Sequence, residues 1–435
     1  MSVPFDSNVD LTVEIAFDSN PLDSTQTFTD VSAYLRRFTI TRGRATNLAN
    51  FNPASVTVVL DNSDNRFSPN QTTHYYDATT NRSKVQPLKR IRIKAAYGGS
   101  TYTLFHGFVE SFPVNYPAQG SDSETKLQCV DAFKLFNNAT LNSFGWQLGI
   151  SKLGTNTRLT LTQAQELSSV RAKNILDSFG YTNQAISTGQ LQVQVQPETD
   201  TVLAALRAVE LAENGTFFIA ANGDATFRDR NYRLTNTTTP EANFGQGGGE
   251  LNYIDIKSSY DDEKIVNTAQ RTRSGGTTQI AVSADSVDRF GSNVLVQSGT
   301  LNIQDSDVLS IAEQITVAND IPQTQIESLS FAPRENVNLW AKALGLDLGS
   351  FVQASVTTTA STTETYELFI ERIKHTVDAR NKTWNWQIGL SPAETGAWIL
   401  GVSKVGIDTN IIFDDRARLK NLSGRVEANI LNNKF

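Results

Sequence analysis

Apolar and polar residues alternate with a period of two through the first 145 residues. In residues 55–60, reading SVTVVL, Val56, Val58 and Leu60 share one face and Ser55, Thr57 and Val59 the other, as in a half-buried strand. Asp61, Asn62 and Ser63 then end the run. Residues 90–105 hold two such runs around Gly98-Gly99, a pair able to take the positive φ of a tight hairpin turn. In residues 125–133 Leu127 and Cys129 fall on one face of a further strand.

The period changes beyond residue 160. Leu203, Leu206 and Val209 recur at helical spacing, with Asp200 placed as N-cap and Asn214-Gly215 as the stop. A second helix is expected over residues 168–179, ended by Gly180, and Asn222-Gly223 sits between β-rich runs as a two-residue turn does. Residues 160–232 therefore read as a small α+β unit. Glycine-rich residues 244–250 lack the Lys-Ser/Thr ending of a phosphate loop and read as a linker or wide turn. Val308, Ile311 and Ile315, then Val337, Trp340 and Leu344, form the stripes of two short amphipathic helices. After Gly349 the period returns to two: Val352, Ala354 and Val356, then Tyr366, Leu368 and Ile370, then Trp384, Trp386 and Ile388.

Self-comparison reveals a duplication. WQLGISKLGTNTR (146–158) returns as WILGVSKVGIDTN (398–410), identical at Trp146/Trp398, Leu148/Leu400, Gly149/Gly401, Ser151/Ser403, Lys152/Lys404, Gly154/Gly406 and Thr157/Thr409. Upstream, YTLFHGFVES (102–111) matches YELFIERIKH (366–375), and KLQCVDAF (126–133) matches WQIGLSPA (386–393). The order of elements repeats at unequal spacing, which predicts one β domain present twice with an α+β segment between. The repeated Trp, Leu and Gly suit a packed anchor and a turn rather than a ligand site.

Composition narrows the chemistry. With 38 Lys and Arg against 45 Asp and Glu, the chain of 435 residues carries a net charge of −7 and no broad basic surface for nucleic acid. No apolar run is long enough to span a bilayer, and the N-terminal stretch has no secretion signal, so neither is expected. The single Cys129 fits a reducing cytosol. Three histidines (His74, His106, His375) leave little material for a zinc site or a Cys-His nucleophile.

The remaining constellations read as structural. Arg90, Arg92 and Lys94 alternate with Ile91 and Ile93 and share one strand face, which could meet DNA or an acidic neighbour; a solvated or interface strand is the favoured reading, since three charges fall short of a nucleic-acid footprint. Residues 61–65, DNSDN, offer calcium-like oxygens, but Arg66 and Thr72 stand where that loop needs Gly and Glu; a turn is expected. No nucleophile elbow occurs, His106 lies within an alternating strand, and Asp261 to Glu263 read as an exposed turn. No catalytic, cofactor-binding or metal-ligating residue is assigned.

Several blocks resemble the minor tail, or tail-hub, proteins of long-tailed bacteriophages: residues 28–69 with Arg42-Gly43-Arg44 and Leu60-Asp61-Asn62, residues 87–113, 127–136, 260–272, 344–355, and 390–409 around Trp398. The resemblance implies a mainly β fold with an α+β insertion and two duplicated β-barrel-like tail-tube-type domains, related to the central baseplate hub of contractile-tailed phages. The boundaries expected are a first β tube-like domain over 1–158, an inserted α+β domain over 159–250, a connecting α+β segment over 251–347, a second β tube-like domain over 348–410 and a C-terminal extension over 411–435. It implies a non-enzymatic homotrimer at the virion tail tip, assembled in the host cytoplasm. That trimer would cap the tail tube, adapt six-fold to three-fold symmetry and gate DNA ejection. Its partners would be the distal tail or tube protein ring, the tape-measure protein and tail fibre or tip proteins, with DNA in transient passage and no membrane span.

Two domains in each of three chains give six similar units, the number a hexameric ring requires. On this reading segments 88–158 and 348–410 lie side by side, related by about 60°, with Trp146 and Trp398 equivalent, the Gly98-Gly99 hairpin matching the 357–365 hairpin, and residues 160–232 outside the ring. Two rivals remain: a carbohydrate-binding tail adhesin, which exposed Trp384 and Trp386 would favour, and a wall-degrading tail enzyme, which needs a carboxylate pair or metal in a cleft.

Overall fold

The computed structural model describes residues 3–4, 9–117, 122–140, 165–194, 201–260, 262–322, 324–332, 339–357 and 363–393. Both copies of the 146–158 and 398–410 motif lie outside them: Trp146, Leu148, Gly149, Ser151, Lys152, Gly154 and Thr157, with Trp398, Leu400, Gly401, Ser403, Lys404, Gly406 and Thr409.

The first β set follows the alternation read from the sequence. Its strands are β1 (Val9–Ile15), β2 (Leu35–Gly43), β3 (Asn52–Asp61), β4 (Arg90–Tyr97), β5 (Ser100–Ser111) and β6 (Glu124–Val130). Val9, Leu11, Val13 and Ile15 of β1 are buried, as are Val56, Val58 and Leu60 of β3 and Leu127 and Cys129 of β6. Gly98 and Gly99 make the two-residue turn between β4 and β5, at φ 57° and 81°. All pairings are antiparallel, in the order β1-β4-β5-β6-β3-β2.

The α+β unit comes next. Helix α1 (Ser168–Phe179) stops on Gly180 in the left-handed region, and α2 (Val202–Glu213) stops on Asn214, also left-handed. The cap of α2 is Thr201 rather than Asp200: its side chain accepts the Ala204 N–H at 3.1 Å. Strands β7 (Thr216–Ile219) and β8 (Ala225–Arg228) pair as a hairpin, but Ile219 opposes Ala225, so the turn spans residues 220–224 and exceeds the two residues expected. Strand β9 (Ala242–Phe244) leads into β10 (Tyr253–Ser259).

A second α+β unit follows β10. It contains β11 (Thr268–Arg273), β12 (Gln279–Val282), α3 (Ala284–Phe290), β13 (Val294–Thr300) and α4 (Asp305–Asn319), which buries Val308, Ile311 and Ile315 as their spacing predicts. The chain ends its described course with β14 (Gln325–Phe331), α5 (Trp340–Gly345), β15 (Phe351–Thr357), β16 (Thr363–Asp378) and β17 (Thr383–Pro392). The second β set therefore takes β10 and β14 from the stretch expected to be a connecting segment.

The two sets agree in order and register. β15-β16-β17-β14-β10 repeats β4-β5-β6-β3-β2. Arg90 opposes Phe108 as Phe351 opposes Phe369, and Val58 opposes Leu127 as Leu329 opposes Ile388. Leu88 N donates to Val109 O (2.7 Å) as Gly349 N does to Ile370 O (2.7 Å), and Val109 N donates to Lys89 O as Ile370 N does to Ser350 O. Each set carries a bulge at a glutamate: the pairing skips Glu110 in β5 and Glu371 in β16.

These pairs fix the offset of the last three strands at 261 residues (370 minus 109). The sequence match of 102–111 with 366–375 is three residues out of this register, and that of 126–133 with 386–393 one residue out. Both slips are odd and would exchange the two faces of an alternating strand, so these letter matches do not carry the register, which the hydrogen-bond partners fix. The copies differ at the outer strand: β1 runs antiparallel to β4, whereas β9 runs parallel to β15. The turns differ too, since Thr357 opposes Thr363 where Tyr97 opposes Ser100.

Candidate functional site: the joint between the two sets and its free counterparts

The sets meet edge to edge. The first half of β16 pairs with β15, its second half (372–378) pairs with β2, and one sheet runs through both copies. This joint explains the Arg42-Gly43-Arg44 block. Gly43 has φ 121°, and a Cβ there would stand 2.1 Å from the Glu371 carbonyl oxygen, so only glycine lets β2 approach β16. Arg44 Nε donates to Glu371 at 2.6 Å, Arg233 donates to its other oxygen, and Ser391 also bonds it. Burial opposes ionisation of Glu371, but the Arg44 and Arg233 guanidinium groups outweigh it and hold the carboxyl at about 2.

Asp347 is the second fastening. It accepts from Arg42 at 2.6 Å and from the Ala221 N–H at 2.9 Å, tying β2, the β7–β8 turn and the entry to β15 together. His106 Nδ1 bonds the Asn222 carbonyl at 2.9 Å on the same turn, and burial lowers this imidazole to about 4. Its neutral Nδ1–H is therefore the donor. A third cluster lies at Arg36, whose guanidinium reaches Asp61 (2.8 Å), Asp122 (2.7 Å) and Glu124 (2.7 Å).

The remaining expectations resolve simply. Arg92 and Lys94 both pair with Glu14 of β1, so their face meets an acidic neighbour within the chain. In the 61–65 turn Asn62 Oδ1 accepts the Phe67 N–H at 2.9 Å and Asp64 pairs with Arg66. Trp384 and Trp386 are buried, stacked at 5.4 Å beside His375, which burial and the nearby Arg42 lower to about 3. Among the described residues no three His, Cys, Asp or Glu side chains cluster as a metal site, and no helix is long and apolar enough to cross a membrane.

Sequence reasoning missed Glu110, Glu371 and Asp347, since a bulge and a long-range ion pair have no local pattern. One sheet edge of each set is also left open. Strand β10 pairs only with β14, and Val114–Asn115, which continues β5, pairs only with β6 among the described residues.

No protein-family model and no curated protein matches the sequence. Among solved structures, the tail protein from Neisseria meningitidis MC58 superposes with a TM-score of 0.51 at 9% identity, covering 88% of this chain and 96% of that one. The fold is that of a tail protein. Two further tail proteins align over 88% of the chain: the 43 kDa protein of prophage MuSo2 from Shewanella oneidensis (TM-score 0.48, 10% identity, 98% of that chain) and prophage gp18 from Listeria monocytogenes EGD-e (0.43, 10%, 94%). In this tail-protein fold the duplicated sheets form the larger part of the described structure, and the α+β units are held between their strands.

Proposed function

We propose that the chain is a structural tail protein of a bacteriophage, acting as a tail hub: a homotrimer that caps the tube, converts six-fold to three-fold symmetry and gates DNA ejection. The observation that carries this reading is the duplication in strand order, register and bulge position. Two like units per chain and three chains supply six like edges to a six-fold ring, while the α+β units keep the true symmetry three-fold. The partners follow from that place: a tube or distal tail ring on one side, tip or fibre proteins on the other, and the tape-measure protein and then DNA along the axis.

The burial of Trp384 and Trp386 takes away the feature that favoured a carbohydrate-binding adhesin. Activity on purified cell wall tests the wall-degrading alternative. Light scattering of the purified chain tests the reading, with imaging of the assembled particle. A mass of three chains and class averages with six similar lobes are expected; a monomeric or two-fold particle, or density away from the tail, overturns it.

A further inference from the structure

We infer that β10 of one copy of this chain adds to the sheet of a second copy at the stretch 114–116, repeating between chains the β2–β16 joint made within one. The inference rests on the trimer reading above and goes beyond it by naming the two surfaces and their register.

The duplication supplies the argument. β2 corresponds to β10: Leu35 opposes Leu60 and Arg37 opposes Val59 across a bulge at Arg36, as Tyr253 opposes Phe331 and Asp255 opposes Ser330 across a bulge at Ile254. Val114–Asn115 corresponds to His375–Thr376: Val114 opposes Thr125 and Asn115 opposes Glu124, as His375 opposes Trp386 and Thr376 opposes Asn385. Within the chain β2 lies on the second of these stretches, with Thr39 opposite Thr376 and Phe38 opposite Val377. The counterparts of both partners are present, and neither has a strand on that side among the described residues.

Translating the joint pairs Asn115 with Lys257 and Tyr116 with Ile256, antiparallel. The exposed apolar groups at the two edges support a protein occupant: Ile254 is 63% and Tyr260 69% exposed along β10, and Tyr116 is 60% exposed on the other edge. Tyr116 is already oriented, its hydroxyl bonded to Asn65 at 3.0 Å. Pro113 and Pro117 flank the 114–116 stretch and β10 is bulged near both ends, which confines pairing to the short stretch between them and leaves that stretch a template for another chain. One internal and one external joint per chain close a ring of six units after three chains.

Disulfide trapping tests the register. Paired Cα atoms of antiparallel strands stand roughly 4.5–5.5 Å apart, within disulfide range. Cys129 is buried, with its thiol pushed up by burial, and stays out of the reaction. Both Asn115 and Lys257 are exposed, so Asn115→Cys with Lys257→Cys leaves the fold intact, as circular dichroism will record. Under mild oxidation the double variant gives covalent dimers and trimers, at least tenfold more than Asn115→Cys with Ile256→Cys, whose second thiol faces the opposite side. A trimer by light scattering that yields no cross-link, or equal cross-linking in the control, overturns the strand pairing and leaves the trimer standing. A chain that is monomeric and not cross-linked at any concentration overturns both.

Discussion

At the scale of single residues, Gly43 and Glu371 carry the joint. Gly43→Ala places a methyl group against the Glu371 carbonyl at a φ that L-residues rarely adopt. A loss of about 3 kcal/mol is expected from strain and overpacking together, read as a lower urea midpoint with unchanged slope. Glu371→Gln leaves the buried Arg44 and the half-buried Arg233 guanidinium groups without their counter-charge and costs about 3 kcal/mol. The pH dependence has a definite sign. Glu371 is lowered in the fold to about 2 from 4.5, so its contribution is full above about 4.5 and is lost as pH falls toward 2. His375, lowered to about 3 from 6.5, opposes folding once the unfolded chain takes up its proton, so stability also falls between pH 6.5 and 3. Relative to the unaltered chain, Glu371→Gln therefore flattens the stability profile below pH 4.5, and His375→Gln flattens it from pH 6.5 downward. Urea titrations at about pH 7, 5.5 and 4 separate the two.

At the scale of elements, local signals and long-range partners play different parts. Helix α2 begins where Thr201 can accept the Ala204 N–H and ends where Asn214 turns left-handed. Thr201→Ala costs about 1 kcal/mol in a thermal melt, as loss of a helix cap does. The unit around β11–β13 and α4 has only a small core, Val266, Ala269, Ala281, Ile311, Ala312 and Ile315, separate from the main one. Such a unit opens on its own. In hydrogen exchange, amides of β11 and β13 should exchange at least tenfold faster than those of β2, β3 and β16; equal protection would show one cooperative unit instead.

At the scale of the whole molecule, the main apolar core runs from Val9 through the first α+β unit to Leu390, so the two β sets and that unit share one interior. The joint adds ion pairs between parts far apart in sequence, Arg44 with Glu371 and Arg42 with Asp347. The two β sets should melt together in calorimetry, and Gly43→Ala should separate their transitions. A double endotherm in the unaltered chain would mean that the joint transmits little.

The sequence alone determined the strands with clean alternation, the helices with a stripe and a stop and the Gly98-Gly99 turn, because each rests on contacts within a few residues; it signalled a repeat, but the strand matches it offered were out of register. It also marked Arg42-Gly43-Arg44 without giving the reason. Tertiary structure decided the rest. The register of the repeat depends on hydrogen-bond partners, the extent of the second set on β10 and β14 returning across an inserted unit, and the need for Gly43 on a carbonyl 328 residues further along the chain (371 minus 43). None of these leaves a periodic trace, since a strand's own sequence fixes which face is buried but not which strand lies beside it.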